Sequence, residues 1–150
     1  MAKVIIVFAS MSGNTEELSD AIAEGVKAAG LEPVVKNVMD TEASQLEQYD
    51  AIIIGAYTWG DGELPDEMLD YYEAMDGLDL NGKQAAVFGS GDSAYDIFCG
   101  AVDTLEQKLK DRGAAIAADS IKVELNPTNE ETEQCRALGR RLAELAAASV

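Results

Sequence analysis

The strongest constraint on this chain is the texture of its apolar residues. Val4-Ile5-Ile6-Val7-Phe8, Pro33-Val34-Val35 with Val38, Ala51-Ile52-Ile53-Ile54 and Ala85-Ala86-Val87-Phe88 are continuous runs, not alternating ones. Parallel strands covered on both faces read this way. A fifth segment, from Ile116 to Leu125, mixes apolar and polar residues, as an edge strand with one wetter face does. Helical stripes lie between the runs. Leu18, Ala21, Ile22, Gly25, Val26 and Ala29 share one face, and Gly30 ends that helix. Met68, Tyr71, Tyr72 and Met75 follow Pro65; Val102, Leu105 and Leu109 are closed by Gly113. Cys135, Leu138, Leu142 and Leu145 follow a Thr128-Asn129-Glu130-Glu131 capping box. Such alternation predicts one doubly wound α/β/α domain over residues 1–150. Its five-stranded parallel sheet takes the order 2-1-3-4-5, and the ligand crevice opens at the carboxyl ends of strands 1 and 3.

Charge and composition exclude several classes of function. With 28 acidic against 11 basic residues the formal charge is -17. Nucleic acid and anionic membrane are repelled by such a surface, and a basic protein partner is its complement. Histidine is absent, which removes every triad and metal site that needs imidazole. Cys99 and Cys135 are far apart and form no CxxC pair, so free thiols in a reducing compartment are expected. The first residues lead straight into a strand without a signal-peptide layout, and no apolar run is long enough to span a bilayer. A cytoplasmic protein is the expectation.

Three loops should share the rim of the crevice. The first is Ser10-Met11-Ser12-Gly13-Asn14-Thr15, made of small hydroxyl, amide and glycine residues with no Lys or Arg. Before a helix, such a turn offers backbone N–H groups and the positive end of a helix dipole to an anion, most often phosphate. It is neither a Walker A loop nor GxGxxG. Its plain alternative is a strand-to-helix turn with Ser12 or Asn14 as the cap. The second, Gly55 to Pro65, holds the chain's single tryptophan in Thr58-Trp59-Gly60-Asp61. Trp59 could pack on its own domain or cover a flat ligand. The third, Gly89 to Gly100, contains Ser90-Gly91-Asp92 and a second aromatic, Tyr95. Phe98 and Cys99 on the same loop read first as core side chains, and both are kept as candidates for contact with a cofactor. A phosphate-type turn and two aromatic loops on one rim describe a slot for a flat aromatic group bearing a terminal phosphate. FMN is such a molecule.

Along essentially its whole length the chain resembles the flavodoxin family. Ser10-Met11-Ser12-Gly13-Asn14-Thr15 is similar to that family's (Ser/Thr)-x-(Ser/Thr)-Gly-Asn-Thr phosphate loop, with Met11 where polar residues are frequent. Thr58-Trp59-Gly60-Asp61 and Ser90-Gly91-Asp92-Ser93-Ala94-Tyr95 resemble its two isoalloxazine loops. The length and an uninterrupted fifth strand resemble the short-chain branch. The resemblance implies a one-electron carrier, not an enzyme with its own turnover, holding FMN noncovalently and working mainly between semiquinone and hydroquinone. It implies that Ser10, Ser12, Asn14, Thr15 and backbone amides hold the phosphate. It also implies that Trp59 and Tyr95 sandwich the flavin, that the Gly60-Asp61 peptide faces N5, and that the Ser90 to Asp92 amides approach the pyrimidine edge.

Between Asp61 and Asp79 lie eight acidic residues and no basic one. They should disfavour a negative reduced flavin and lower its potential. They should also form the face on which basic-patched reductases and electron acceptors dock, the protein itself being monomeric. A solvated helix face is their bland reading, and screening over about 10 Å limits their reach. A receiver domain would need paired acids after strand 1, where Phe8-Ala9-Ser10 stands. A low-molecular-weight phosphatase needs a Cys-x5-Arg loop; Cys99 is followed by Gly-Ala-Val-Asp-Thr-Leu, and Cys135 does not stand at a strand end. A flavodoxin-like activator of a radical enzyme is the alternative to a free carrier; an FMN-dependent quinone reductase would need further substrate loops.

Overall fold

The computed structural model describes residues 2–9, 14–57, 64–91, 100–124 and 127–148. The elements run β1 (Val4–Ala9), α1 (Asn14–Ala28), β2 (Val34–Asn37), β3 (Ala51–Tyr57), α2 (Asp66–Ala74), β4 (Gln84–Gly91), α3 (Gly100–Asp111), β5 (Ala115–Ile116), β6 (Ile121–Glu124) and α4 (Asn129–Ala148). All the pairings are parallel and the order is β2-β1-β3-β4-β5, with β6 also on β4. The predicted 2-1-3-4-5 order is therefore the observed one.

The continuous apolar runs have a direct explanation. Ile5, Val7, Ile52, Ile54, Ala85 and Val87 point into a core shared with α2 and α3. Their chain neighbours Val4, Ile6, Phe8, Ile53, Ala86 and Phe88 point into a second core with α1 and α4. Successive strand side chains face opposite ways, so a central strand with helices on both faces has no wet side.

Two expectations change. The second strand was expected to be fully buried, yet Val34 is half-buried and Val35 and Lys36 are exposed. It is an outer strand with β1 as its one neighbour, and a lysine there discourages edge pairing. The fifth strand was expected to be uninterrupted and is two short segments. Residues 117–120 stand opposite just two residues of β4, Ala86 and Val87. This bulge is tolerated because an outer strand has no ladder on its far side. Arg141 of α4 steadies it by donating from Nε to the Ala117 carbonyl at 2.7 Å.

Helix ends follow their sequence signals. Gly30 and Gly113 take φ of +93° and +100° just past α1 and α3. The Thr128 amide donates to the Glu131 carboxylate at 2.9 Å and the Glu131 amide to the Thr128 hydroxyl at 3.1 Å, a complete capping box. The short connection before β3 contains two 3-10 turns, Val38–Asp40 and Ala43–Gln48. Cys135 is a buried free thiol whose pKa burial pushes up to about 12. Among the described residues no helix is long and apolar enough to cross a membrane.

Candidate functional site

Strand register aligns the rim. Ala9 of β1 pairs with Ala56 of β3, Ala56 with Gly89 of β4, and Tyr57 with Ser90. The segments 10–13, 58–63 and 92–99 therefore leave from one row at the carboxyl ends of three adjacent strands. The row leaves little room for side chains. A Cβ on Gly89 would lie 2.4 Å from the Ala56 carbonyl oxygen and 2.5 Å from Val102.

Helix α1 begins at this rim with Asn14. Its first amides have no carbonyl one turn back within the helix and take partners from outside it. Thr15 lies at the base of that turn, 1% exposed, with its hydroxyl 3.0 Å from the hydroxyl of Ser90, itself 5% exposed. Either can donate. The bond joins the start of α1 to the end of β4 across β3, and ties the first loop to the third. Helix-terminal amides and a buried hydroxyl are donors of the kind a phosphate takes, whereas the charged residues of the first turn, Glu16 and Glu17, are acidic and donate nothing to it. Lys122, in register with Gly89, is engaged by Asp103 at 2.9 Å.

Beyond the second loop, Asp66 and Glu67 open α2, where their charge complements the helix dipole. Asp66, Asp70 and Glu73 are exposed. Tyr57, at the end of β3, has its pKa raised by burial first and next by the Glu67 carboxylate. The far end of α2 is anchored to α3. Lys108 of α3 pairs with Asp76 and lies 4.1 Å over the Tyr72 ring. Lys108 holds the Asp76 carboxyl below its ordinary value, chiefly by their hydrogen bond.

Of the sequence candidates, Asn14, Thr15, Ser90 and Gly91 are described, and the fold brings them to one rim. Ser90 turns its hydroxyl to Thr15, a contact between residues 75 apart in the chain that no local pattern encodes. Ser10, Met11, Ser12, Gly13, Thr58, Trp59, Gly60, Asp61, Asp92, Tyr95, Phe98 and Cys99 lie outside the described residues.

The profile of the flavodoxin family matches residues 6–139. A probable flavodoxin 2 of Bacillus subtilis is 50% identical over 151 residues, covering 100% of each chain. A flavodoxin of Maridesulfovibrio salexigens is 40% identical over 134 residues, 87% of this chain and 92% of its own. The crystal structure of oxidised flavodoxin 1 from Bacillus cereus superposes with a TM-score of 0.92 at 53% identity, covering 95% of this chain and 98% of that one.

Proposed function

The chain belongs to the flavodoxin family, FMN-binding electron carriers, and on that premise we propose how this member works. It is a monomeric cytoplasmic carrier that exchanges single electrons with basic-patched redox proteins, mainly on the lower of the two flavin couples. The observation that carries this reading is the rim itself. The first turn of α1 and the buried Thr15–Ser90 hydroxyl pair stand where three loops leave β1, β3 and β4.

FMN supplies the two one-electron couples; the chain supplies place and potential. Thr15 and the first-turn amides, with Ser10, Ser12 and Asn14, hold the phosphate by hydrogen bonds without a cation. Trp59 and Tyr95 exclude water from the ring faces, and the Gly60-Asp61 and Ser90 to Asp92 segments line its edge, with Phe98 and Cys99 behind them. Asp66, Glu67, Asp70 and Glu73 oppose added negative charge and meet basic partners.

Redox titration of the purified yellow protein tests this. Two separated one-electron steps, the lower well below that of free FMN, are expected, with FMN held more tightly than riboflavin. A colourless protein that does not take up FMN, or a single two-electron step, overturns it.

A further inference from the structure

A groove of about 560 Å³ runs between α2 and the connection that follows β2. Its position is set by the topology: β2 and β3 are parallel, and the segments that form its two walls follow their carboxyl ends. Its walls combine two chemistries. Met39 is 72% exposed, the most exposed of the large apolar side chains among the described residues, and lies on one side. Glu42, Asp66, Glu67 and Asp70 stand around it. None of these four acids has a salt-bridge partner among the described residues.

Two buried acceptors in the lining lack partners. Tyr71 is 5% exposed, and its hydroxyl makes no hydrogen bond. Burial raises the pKa of that hydroxyl, so it stays neutral. The Glu67 carboxylate is hydrogen-bonded to Tyr57, and its Oε1 atom is buried and unbonded. Buried polar atoms are ordinarily satisfied, so each unsatisfied atom in the lining of a groove marks a place for a missing donor.

We propose that this groove receives an arginine side chain of a protein redox partner, its guanidinium meeting Glu67 and the Tyr71 hydroxyl and its aliphatic stem covering Met39. A guanidinium has five N–H donors, no acceptor and a fixed plane, and it sheds water more readily than an ammonium. It therefore suits several diverging acceptors in a half-apolar slot better than lysine does. An arginine seated there would hold the partner's surface against the rim from which the loops leave. The inference rests on the carrier reading for its purpose, while the groove chemistry stands apart from it.

The test is a backbone NMR titration of the FMN-loaded protein with acetyl-Leu-Arg-Leu-amide. Its isosteres carry citrulline, which is neutral, or lysine in place of arginine. Saturable shifts confined to residues 38–44 and 66–74 are expected, with binding at least tenfold weaker for citrulline and several-fold weaker for lysine. Glu67→Gln and Tyr71→Phe should each weaken the arginine peptide several-fold while FMN is retained. Shifts spread evenly over the acidic surface, or equal binding of the citrulline or lysine peptide, would overturn the assignment. The titration does not depend on electron exchange, so it reads the groove even if the carrier reading fails. Salt-dependent reduction by a basic reductase, persisting where the peptide does not bind, removes the groove inference alone.

Discussion

Thr15 has two neighbours to serve. Its hydroxyl is bonded to Ser90 inside the protein, and on the proposed reading it also serves the FMN phosphate. Replacing it with Val removes both contacts and strands the Ser90 hydroxyl in a buried place, at a cost of about 1–3 kcal/mol. Thr15→Val should therefore lower the melting temperature of the apoprotein and weaken FMN by more than about tenfold, with riboflavin much less affected. Thr15→Ser should restore most of both. Equal losses for FMN and riboflavin in calorimetric titrations would show that Thr15 supports the fold and does not hold phosphate. Asp76 is a residue-scale case with a pH signature. Lys108 lowers its pKa, so the native state favours the carboxylate and the unfolded state binds the proton more readily. The contribution is present above the ordinary carboxylate pKa of about 3.9 and is lost as pH falls through the lower native value. Asp76→Asn should melt below the parent at pH 7, and the gap should close in acid. A gap that does not change with pH would assign the effect to packing around Tyr72.

Among the elements, α1 and α4 depend most on missing side chains. A Cβ on Gly25 would fall 1.9 Å from the Arg136 carbonyl oxygen, and one on Gly139 would fall 2.0 Å from that of Ile22. The obstacle in each case is backbone, which cannot rotate away. Each glycine admits the other helix's main chain, and this close approach brings Ile22, Leu138 and Leu142 into one core. Gly139→Ala gains intrinsic helix propensity of about 1 kcal/mol but forces the helices apart. Overpacking typically costs about 1–3 kcal/mol, so a net loss of stability is expected by urea unfolding. An unchanged or raised midpoint would mean that the pair slides apart at no cost. Helix α2 is governed by charge instead. Its acids help its first turn, and its last turn is held by Lys108 and by Arg112, which donates to the Asp76 carbonyl. The helix can thus present an acidic surface while the turn that follows it, Met75–Gly77, is held by Lys108 and Arg112.

At the scale of the whole molecule the charge is uneven. Residues 1–75 carry 15 acidic and 3 basic side chains, and residues 76–150 carry 13 and 8. Lys108, Lys110, Arg112, Arg136, Arg140 and Arg141 all belong to α3, α4 and the turn after α3, and of these Lys108 and Arg112 reach the end of α2. If partners are basic, as proposed, such asymmetry would orient their approach and raise the encounter rate by about 10 to 1,000-fold at low salt. Reversing Asp66, Glu67 and Asp70 to lysine should slow stopped-flow reduction by a basic reductase and flatten its salt dependence, with FMN retained. A rate independent of both salt and these charges would place the dock elsewhere.

Much of this was legible in the residues. Apolar runs without alternation required strands buried on both faces, and strict alternation with helical stripes left few topologies. The capping box and the terminal glycines marked helix ends, because those signals act within a few residues. The motif at 10–15 suggests a phosphate turn for the same local reason, and its residues 10–13 lie outside the described ones. What the sequence could not settle depended on neighbours distant in the chain. Val34 and Val35 look like core residues, and their exposure follows from β2 having a single neighbour. The break at 117–120 follows from a mismatch in length against β4. The Thr15–Ser90 bond and the groove of Met39, Glu67 and Tyr71 join segments that meet through the parallel sheet order alone. Local propensity is written in short stretches of chain, whereas burial and partnership belong to surfaces assembled from several of them, and those surfaces exist once the layers have packed.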